Sequence, residues 1–163
     1  MKLNIHRVGL RNIKTALAVT VCMVIFNFIG RENAFYACIA AVICMKDTVS
    51  SSFAMGKNRL IGTILGGVFG IVIIFIMIKI PLLYAYNSFV TGLGIVAVIY
   101  TCNLFNKPGS VTIACIVLIG IMINYSGPQS YAYAVGRSID TAIGIIVAIL
   151  INKYFNPPKE KTA

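Results

Sequence analysis

Residues 59–80 read RLIGTILGGVFGIVIIFIMIKI, with Arg59 at one end, Lys79 next to the other and no charge between them. At 1.5 Å per helical residue this run covers about 33 Å, enough to cross the roughly 30 Å hydrocarbon core of a bilayer. It is read as a membrane helix, and it sets the ruler for its neighbours. By that ruler, crossings are expected over residues 11–29, 31–46, 59–80, 82–102, 109–125 and 133–153. Six crossings of about 20 residues account for about 120 positions. Little of the 163-residue chain is left for a soluble domain. The expected fold is all-α: a multi-pass transmembrane bundle of six helices forming a single domain over 1–163.

Composition points the same way. The chain is 59% apolar and 11% charged, with a mean hydropathy of +0.91, whereas about a quarter of the residues in a soluble domain are charged. The net charge of +10 could indicate nucleic-acid binding, but a nucleic-acid binder displays its basic residues as a patch on a polar face, and here they fall between apolar runs. No nucleic-acid partner is expected. One histidine and four carboxylates give little material for an enzyme site, so neither catalysis nor a cofactor is expected. Cys22, Cys38, Cys44, Cys102 and Cys115 form no C-x-x-C pair and are read as small apolar packing residues rather than metal ligands or disulfides.

Orientation follows from the basic residues, which are enriched in cytoplasmic connections. Lys2, Arg7, Arg11, Lys14, Lys46, Lys57, Arg59, Lys107, Lys153, Lys159 and Lys161 fall on one side, and Arg31, Lys79 and Arg137 on the other. Both termini are therefore expected in the cytoplasm, with the chain in the inner membrane and the first crossing retained rather than cleaved as a signal peptide. In the 46–58 connection, Asp47 or Ser50 is expected to cap a short interfacial helix with Val49 and Phe53 dipping into lipid. Tyr36, Tyr84, Tyr86, Tyr125, Tyr131 and Tyr133 are read mostly as interfacial anchors, and Lys14 as a snorkelling side chain.

The pattern R-x-I-x-T-x-x-G occurs at Arg59, Ile61, Thr63 and Gly66 and again at Arg137, Ile139, Thr141 and Gly144, 78 positions later. Ala37-Cys38-Ile39 recurs as Ala114-Cys115-Ile116 after 77. Two three-helix halves are implied, and since three is odd the second half crosses in the opposite sense, giving a 3+3 inverted repeat. The apolar runs of the second and fifth crossings, 34–45 and 111–125, are short. Each is a half-helix or a helix extended by polar residues that face a cavity, as short segments at equivalent positions point to a solute site, or else an ordinary helix flanked by polar ends and a snorkelling Lys46.

In the repeated pattern, positions i, i+4 and i+7 share one helical face. Gly62, Gly66 and Gly70, with Gly67 beside them, form overlapping G-x-x-x-G units whose expected role, like that of Gly144, is helix packing. Arg59 is expected at the border of its crossing, as a topology anchor or as a solute contact. Arg137 and Asp140 fall inside the sixth crossing, where a charge costs at least about 2.5 kcal/mol and faces a partner or a wet cavity. They either pair with each other or offer a guanidinium to a carboxylate solute, with Asp140 competing for it. Thr63 and Thr141 either bond their own helix carbonyls or supply a hydroxyl. The candidate solute-binding set is Arg137, Asp140, Thr141, Arg59 and Thr63.

The segment Ala41-Val42-Ile43-Cys44-Met45-Lys46-Asp47-Thr48-Val49-x-x-Ser52, followed by Gly56-x-x-Arg59-x-x-Gly62-Thr63-x-x-Gly66, resembles the core of the fusaric acid resistance and aromatic acid exporter superfamily. Gly136-Arg137-x-x-Asp140-Thr141-x-x-Gly144 is similar to its last membrane helix. The resemblance spans about residues 8–155. It implies a six-helix, dimeric membrane domain handling organic anions, and a more distant likeness to plant malate-conducting channels, in which membrane arginines serve the anion path. On that reading the chain exports or conducts small, aromatic organic anions without ATP, since it has no phosphate-binding loop. Members of the superfamily commonly continue into a cytoplasmic domain, whereas this sequence stops at Ala163. The expectation is a minimal homodimer or one part of an assembly with a partner chain. The competing reading is a non-transporting membrane module that assembles with such a partner.

Overall fold

A computed structural model describes residues 9–31, 33–124 and 129–155. Among them are six α-helices and no strand: α1 (Leu10–Phe28), α2 (Phe35–Cys44), α3 (Val49–Lys79), α4 (Asn87–Leu104), α5 (Val111–Asn124) and α6 (Gln129–Tyr154). Tight 3-10 turns at Pro81–Tyr86 and Pro108–Ser110 lead into α4 and α5, each opened by a proline whose missing N–H is no loss at a first helical position. The helical segments Leu10–Phe28, Val49–Lys79, Pro81–Leu104 and Tyr131–Tyr154 are long and apolar enough to cross a membrane, while Phe35–Cys44 and Pro108–Ile123 are shorter. Large apolar side chains point outward: Phe89 is 75% exposed, Leu93 73% and Phe28 85%. Such a surface suits lipid and not water, and the protein is an all-α helical membrane bundle.

The 46–58 connection is not a loop carrying a short interfacial helix. Helix α3 begins at Val49 and runs without a break for 31 residues, about 46 Å at 1.5 Å per residue, so its first turns lie beyond what a hydrocarbon core can hold. Thr48 provides the cap: its Oγ1 accepts from the Ser51 N–H at 3.1 Å. Asp47 is exposed and lies 3.7 Å from Arg11, a surface pair of little energetic weight.

The chain divides into two compact units, Met1–Ala54 with Ile143–Ala163, and Met55–Ala142. In the first, α1 buries Lys14, Ala18, Cys22 and Phe26, spaced four apart and so on one face. Helix α2 buries Ala37, Ala40, Ala41 and Cys44 against it. Two thiols approach backbone oxygens across this pair, Cys22 Sγ to Ala37 O at 4.0 Å and Cys38 Sγ to Val19 O at 3.9 Å. Gly144 of α6 sits so close to Ala37 that a Cβ there would collide with the Ala37 carbonyl. Helix α1 ends on Gly30, whose φ of +66 is the left-handed conformation that glycine adopts without a Cβ penalty. The Gly30 N–H donates to Asn27 O and the Arg31 N–H to Phe26 O. This is the double-bonded Schellman terminator, which satisfies carbonyls a helix end leaves open.

In the second unit the glycine face of α3 meets α5 and the turn before it. A Cβ on Gly62 would strike Ser110 O, one on Gly66 would strike Ala114 O, and one on Gly70 would strike Ile121. Gly67 faces Ala134 of α6. Ile74, Met77, Val98, Cys102, Val117 and Leu118 fill the core between these helices. The α4 terminator repeats that of α1, with Asn106 at φ 52 in place of glycine. The Asn106 N–H donates to Asn103 O at 2.9 Å and the Lys107 N–H to Cys102 O at 2.8 Å. Asparagine is the residue other than glycine that most readily takes this conformation.

Candidate functional site

Helix α6 starts at Gln129, so Arg137 lies more than two turns into it, 8% exposed, with Asp140 at 7% and Thr141 at 1%. One turn before Arg137 on the same face stands Tyr133. The Arg137 guanidinium donates through NH1 to the Tyr133 hydroxyl, and its Cζ lies 5.7 Å from the ring centroid. Spacing by four brings the two side chains together, and the ring adds the attraction of its negative face for a cation. Gly120 of α5 makes the room: a Cβ there would come within 3.0 Å of the Tyr133 hydroxyl and 3.5 Å of Arg137 NH1. The arginine is therefore boxed by a tyrosine on its own helix and by a bare backbone on the next.

Sequence reasoning assigned Tyr133 to interfacial anchoring and passed over Gly120. The i, i+4 relation to Arg137 was the available signal for the tyrosine, and an isolated glycine inside the apolar run 111–123 for the other. Tyr125, also read as an anchor, lies outside the described residues.

Arg59 is 4% exposed and Thr63 1%. With α3 starting at Val49, Arg59 lies nearly three turns into the helix. The Thr63 hydroxyl donates to the Arg59 carbonyl at 3.0 Å, the own-helix bond that threonine makes in an apolar setting. Three cavities can be compared with these positions. One of about 630 Å³ is lined by α1 and α2, one of about 450 Å³ by Val24, Asn27 and Phe28, and one of about 250 Å³ by α3 and α6. Neither Arg59 nor Arg137 lines any of these three.

Lys14 does not snorkel. It is 6% exposed, and its Nζ donates to Asn152 Oδ1 at 3.1 Å. The Asn152 amide in turn donates to Lys46 O and to Ser52 Oγ, both at 2.9 Å, while Ser52 Oγ accepts from the Lys46 N–H at 3.1 Å. The last turn of α6, the C-terminal end of α2 and the first turn of α3 thus close on one lysine of α1. A buried ammonium is tolerated where it is paired and hydrogen-bonded. A side chain 138 positions away carries no local signal that would have revealed the pairing.

Comparison with known proteins gives the family. The family described as Aromatic acid exporter family member 1 matches residues 6–155. The chain is 24% identical to the UPF0421 protein YgaE of Bacillus subtilis (strain 168) over 160 residues, 96% of this chain and 42% of the relative. It is 28% identical over 156 residues to a UPF0421 protein of Staphylococcus epidermidis, covering 94% of this chain and 44% of the relative. A relative from Oceanobacillus iheyensis is 27% identical over 151 residues, 93% and 41% respectively. The chain spans less than half the length of these curated relatives. No solved structure matches it significantly. An apolar helical bundle of this build, matched along nearly its whole length, is a membrane protein, and the chain belongs to the aromatic acid exporter family.

Proposed function

We propose that the chain moves small organic anions, aromatic carboxylates among them, across the cell membrane without ATP, with Arg137 as the residue that meets the carboxylate. The observation that carries this reading is an arginine buried more than two turns inside an apolar helix and steadied by Tyr133. A guanidinium at membrane depth costs free energy wherever it has no task, and such residues mark solute pathways. Its planar fork of donors suits a carboxylate. Asp140, three residues on, competes for it when no solute is present. Arg59, Thr63 and Thr141 complete the set. In the conformation seen, Arg137 is nearly closed off, so entry of a solute requires movement of the helices around it.

An internal repeat gives that movement a basis. Gly66 packs on Ala114 and Gly144 on Ala37, which pairs the same two elements that the sequence repeats at 77 and 78 positions. The helix terminators at Gly30 and Asn106 have the same hydrogen-bond pattern and lie 76 positions apart. These matches support two copies of one three-helix unit with opposite membrane sense, the usual frame for a carrier with a central site. All six helices then cross, both termini are cytoplasmic, and the working form is a homodimer or an assembly with a partner chain.

The test is flux of a radiolabelled aromatic carboxylate from proteoliposomes holding the purified protein. Wild type is expected to carry a saturable flux, Arg137→Gln to abolish it, and Arg137→Lys to recover only a small part because the fork is lost. Flux unchanged in Arg137→Gln would remove the arginine from the path. A wild type with no flux for any organic anion would leave the membrane module that works only with its partner.

A further inference from the structure

The N-terminal end of α5 holds a hydroxyl to which the fold gives no task. Pro108 opens the 3-10 turn that leads into the helix; within it the Ser110 N–H donates to Lys107 O at 3.0 Å and the Val111 N–H to Pro108 O. Ser110 thus stands at the capping position. A serine there ordinarily accepts with its side chain from an N–H of the first turn, which this one does not. It is 0% exposed, and among the described residues its Oγ has no hydrogen-bond partner. A hydroxyl shut away from water without a partner costs free energy, so a native structure keeps one for a reason.

The surroundings favour one kind of partner. The Ser110 carbonyl lies against Gly62 of α3, where a Cβ would stand 2.5 Å from it, inside the uncharged run between Arg59 and Lys79. The helix therefore begins with its positive dipole end beside apolar sequence, where water screens it least. Lys107, three residues before Ser110, brings an ammonium on a half-buried residue. The Asn58 amide rests on the turn, its Nδ2 2.6 Å from the position of a Cβ on Gly109. Hydroxyl, ammonium, amide and helix N-terminus can all donate, which is the donor set of an oxyanion site. The unit Met55–Ala142 contains one carboxylate of its own, Asp140, and it does not bond Ser110.

We propose that this end of α5 is a second carboxylate site for the transported anion, at the mouth that the basic residues mark as cytoplasmic. The Ser110 hydroxyl donates to the carboxylate, the first turn of α5 faces it, and Lys107 draws it in. The proposal rests on the transport reading above. Ser110 precedes Gly120, the residue beside Arg137, by ten positions, so about 15 Å of α5 separates the two sites. One carboxylate cannot fill both. Ser110 is closed off in the conformation seen, and entry requires the Asn58 side chain to lift from the turn.

Saturation-transfer NMR on the purified full chain in detergent measures binding of benzoate, with benzamide as its uncharged counterpart. Arg137→Gln is the background, so that what binds there binds away from Arg137. Benzoate is expected to bind this variant, and benzamide about tenfold more weakly. Adding Ser110→Ala weakens benzoate about tenfold; since that hydroxyl makes no bond in the fold, the melting temperature is expected to hold. Adding Lys107→Gln weakens benzoate several-fold at low salt and little at high salt, while Lys79→Gln, at the far end of α3, changes nothing. Affinity indifferent to Ser110→Ala, absence of benzoate binding in the Arg137→Gln background, or equal affinity for benzamide each overturns the proposal. Displacement of benzoate by an equal concentration of phosphatidylglycerol also overturns it, because the site would then serve a lipid headgroup. Carboxylate flux that needs Arg137, combined with binding indifferent to Ser110, removes this site and keeps the transport reading. Benzoate bound through Ser110 by a protein that carries no flux keeps the site and removes that reading.

Discussion

Tyr133 and Gly120 decide what Arg137 can do. The hydroxyl holds one arm of the guanidinium, and the bare α5 backbone at Gly120 leaves both groups their space. Gly120→Ala adds a methyl 3.0 Å from that hydroxyl, tighter than ordinary contact, so the pair must shift by a few tenths of an ångström. Flux of an aromatic carboxylate is expected to fall several-fold while stability changes by about 1 kcal/mol, the low end for overpacking. Proteoliposome flux and thermal denaturation of one preparation check both halves. Lys14 presents a second question at this scale. Asn152→Ala takes away one acceptor from a buried ammonium and is expected to cost about 1–3 kcal/mol. The double variant Lys14→Met with Asn152→Ala, which removes both members of the pair, should lose less than the single variants Lys14→Met and Asn152→Ala summed. A double-mutant cycle on melting temperature measures the coupling, and additive losses would show that the two residues act separately.

Helices in this protein are set by where backbone can approach backbone. Gly66 and Gly144 each face a carbonyl oxygen, and a carbonyl in a neighbouring helix cannot swing aside as a side chain can. Gly66→Ala and Gly144→Ala are each expected to destabilise by about 1–3 kcal/mol. Gly92 of α4 has nothing within 4 Å of a built Cβ, so Gly92→Ala should be neutral or stabilising by up to about 1 kcal/mol through helix propensity. Unfolding of the three variants in detergent checks the contrast, and equal effects at all three positions would refute it. Element boundaries were the part of the fold least legible in the sequence. Lys57 and Asn58 look like loop residues beside an apolar run, yet α3 passes straight through them, because a helix longer than the hydrocarbon core carries polar residues on the turns that emerge from it.

Across the whole molecule, the expected sidedness is open to direct test. In a variant without native cysteines, Asn33→Cys is expected to react with an impermeant maleimide in intact cells. Asp47→Cys, at an exposed side chain, should react only after permeabilisation. The reverse pattern would invert the orientation drawn from the basic residues.

Much of this protein is written in one dimension. Long apolar runs, few charges and lysines and arginines placed between the runs declare a helical membrane bundle, because a backbone in lipid must satisfy its own hydrogen bonds within each segment. The glycine spacing and the R-x-I-x-T-x-x-G pattern singled out the candidate residues, Arg137 among them. Contacts between distant segments were beyond that reach. Asn152 found Lys14, Gly120 opened a space for Tyr133, and Gly144 met the carbonyl of Ala37 only once the chain had folded. Pairings of this kind depend on which helix faces approach within a few ångströms, a property of packing that no local run of residues contains.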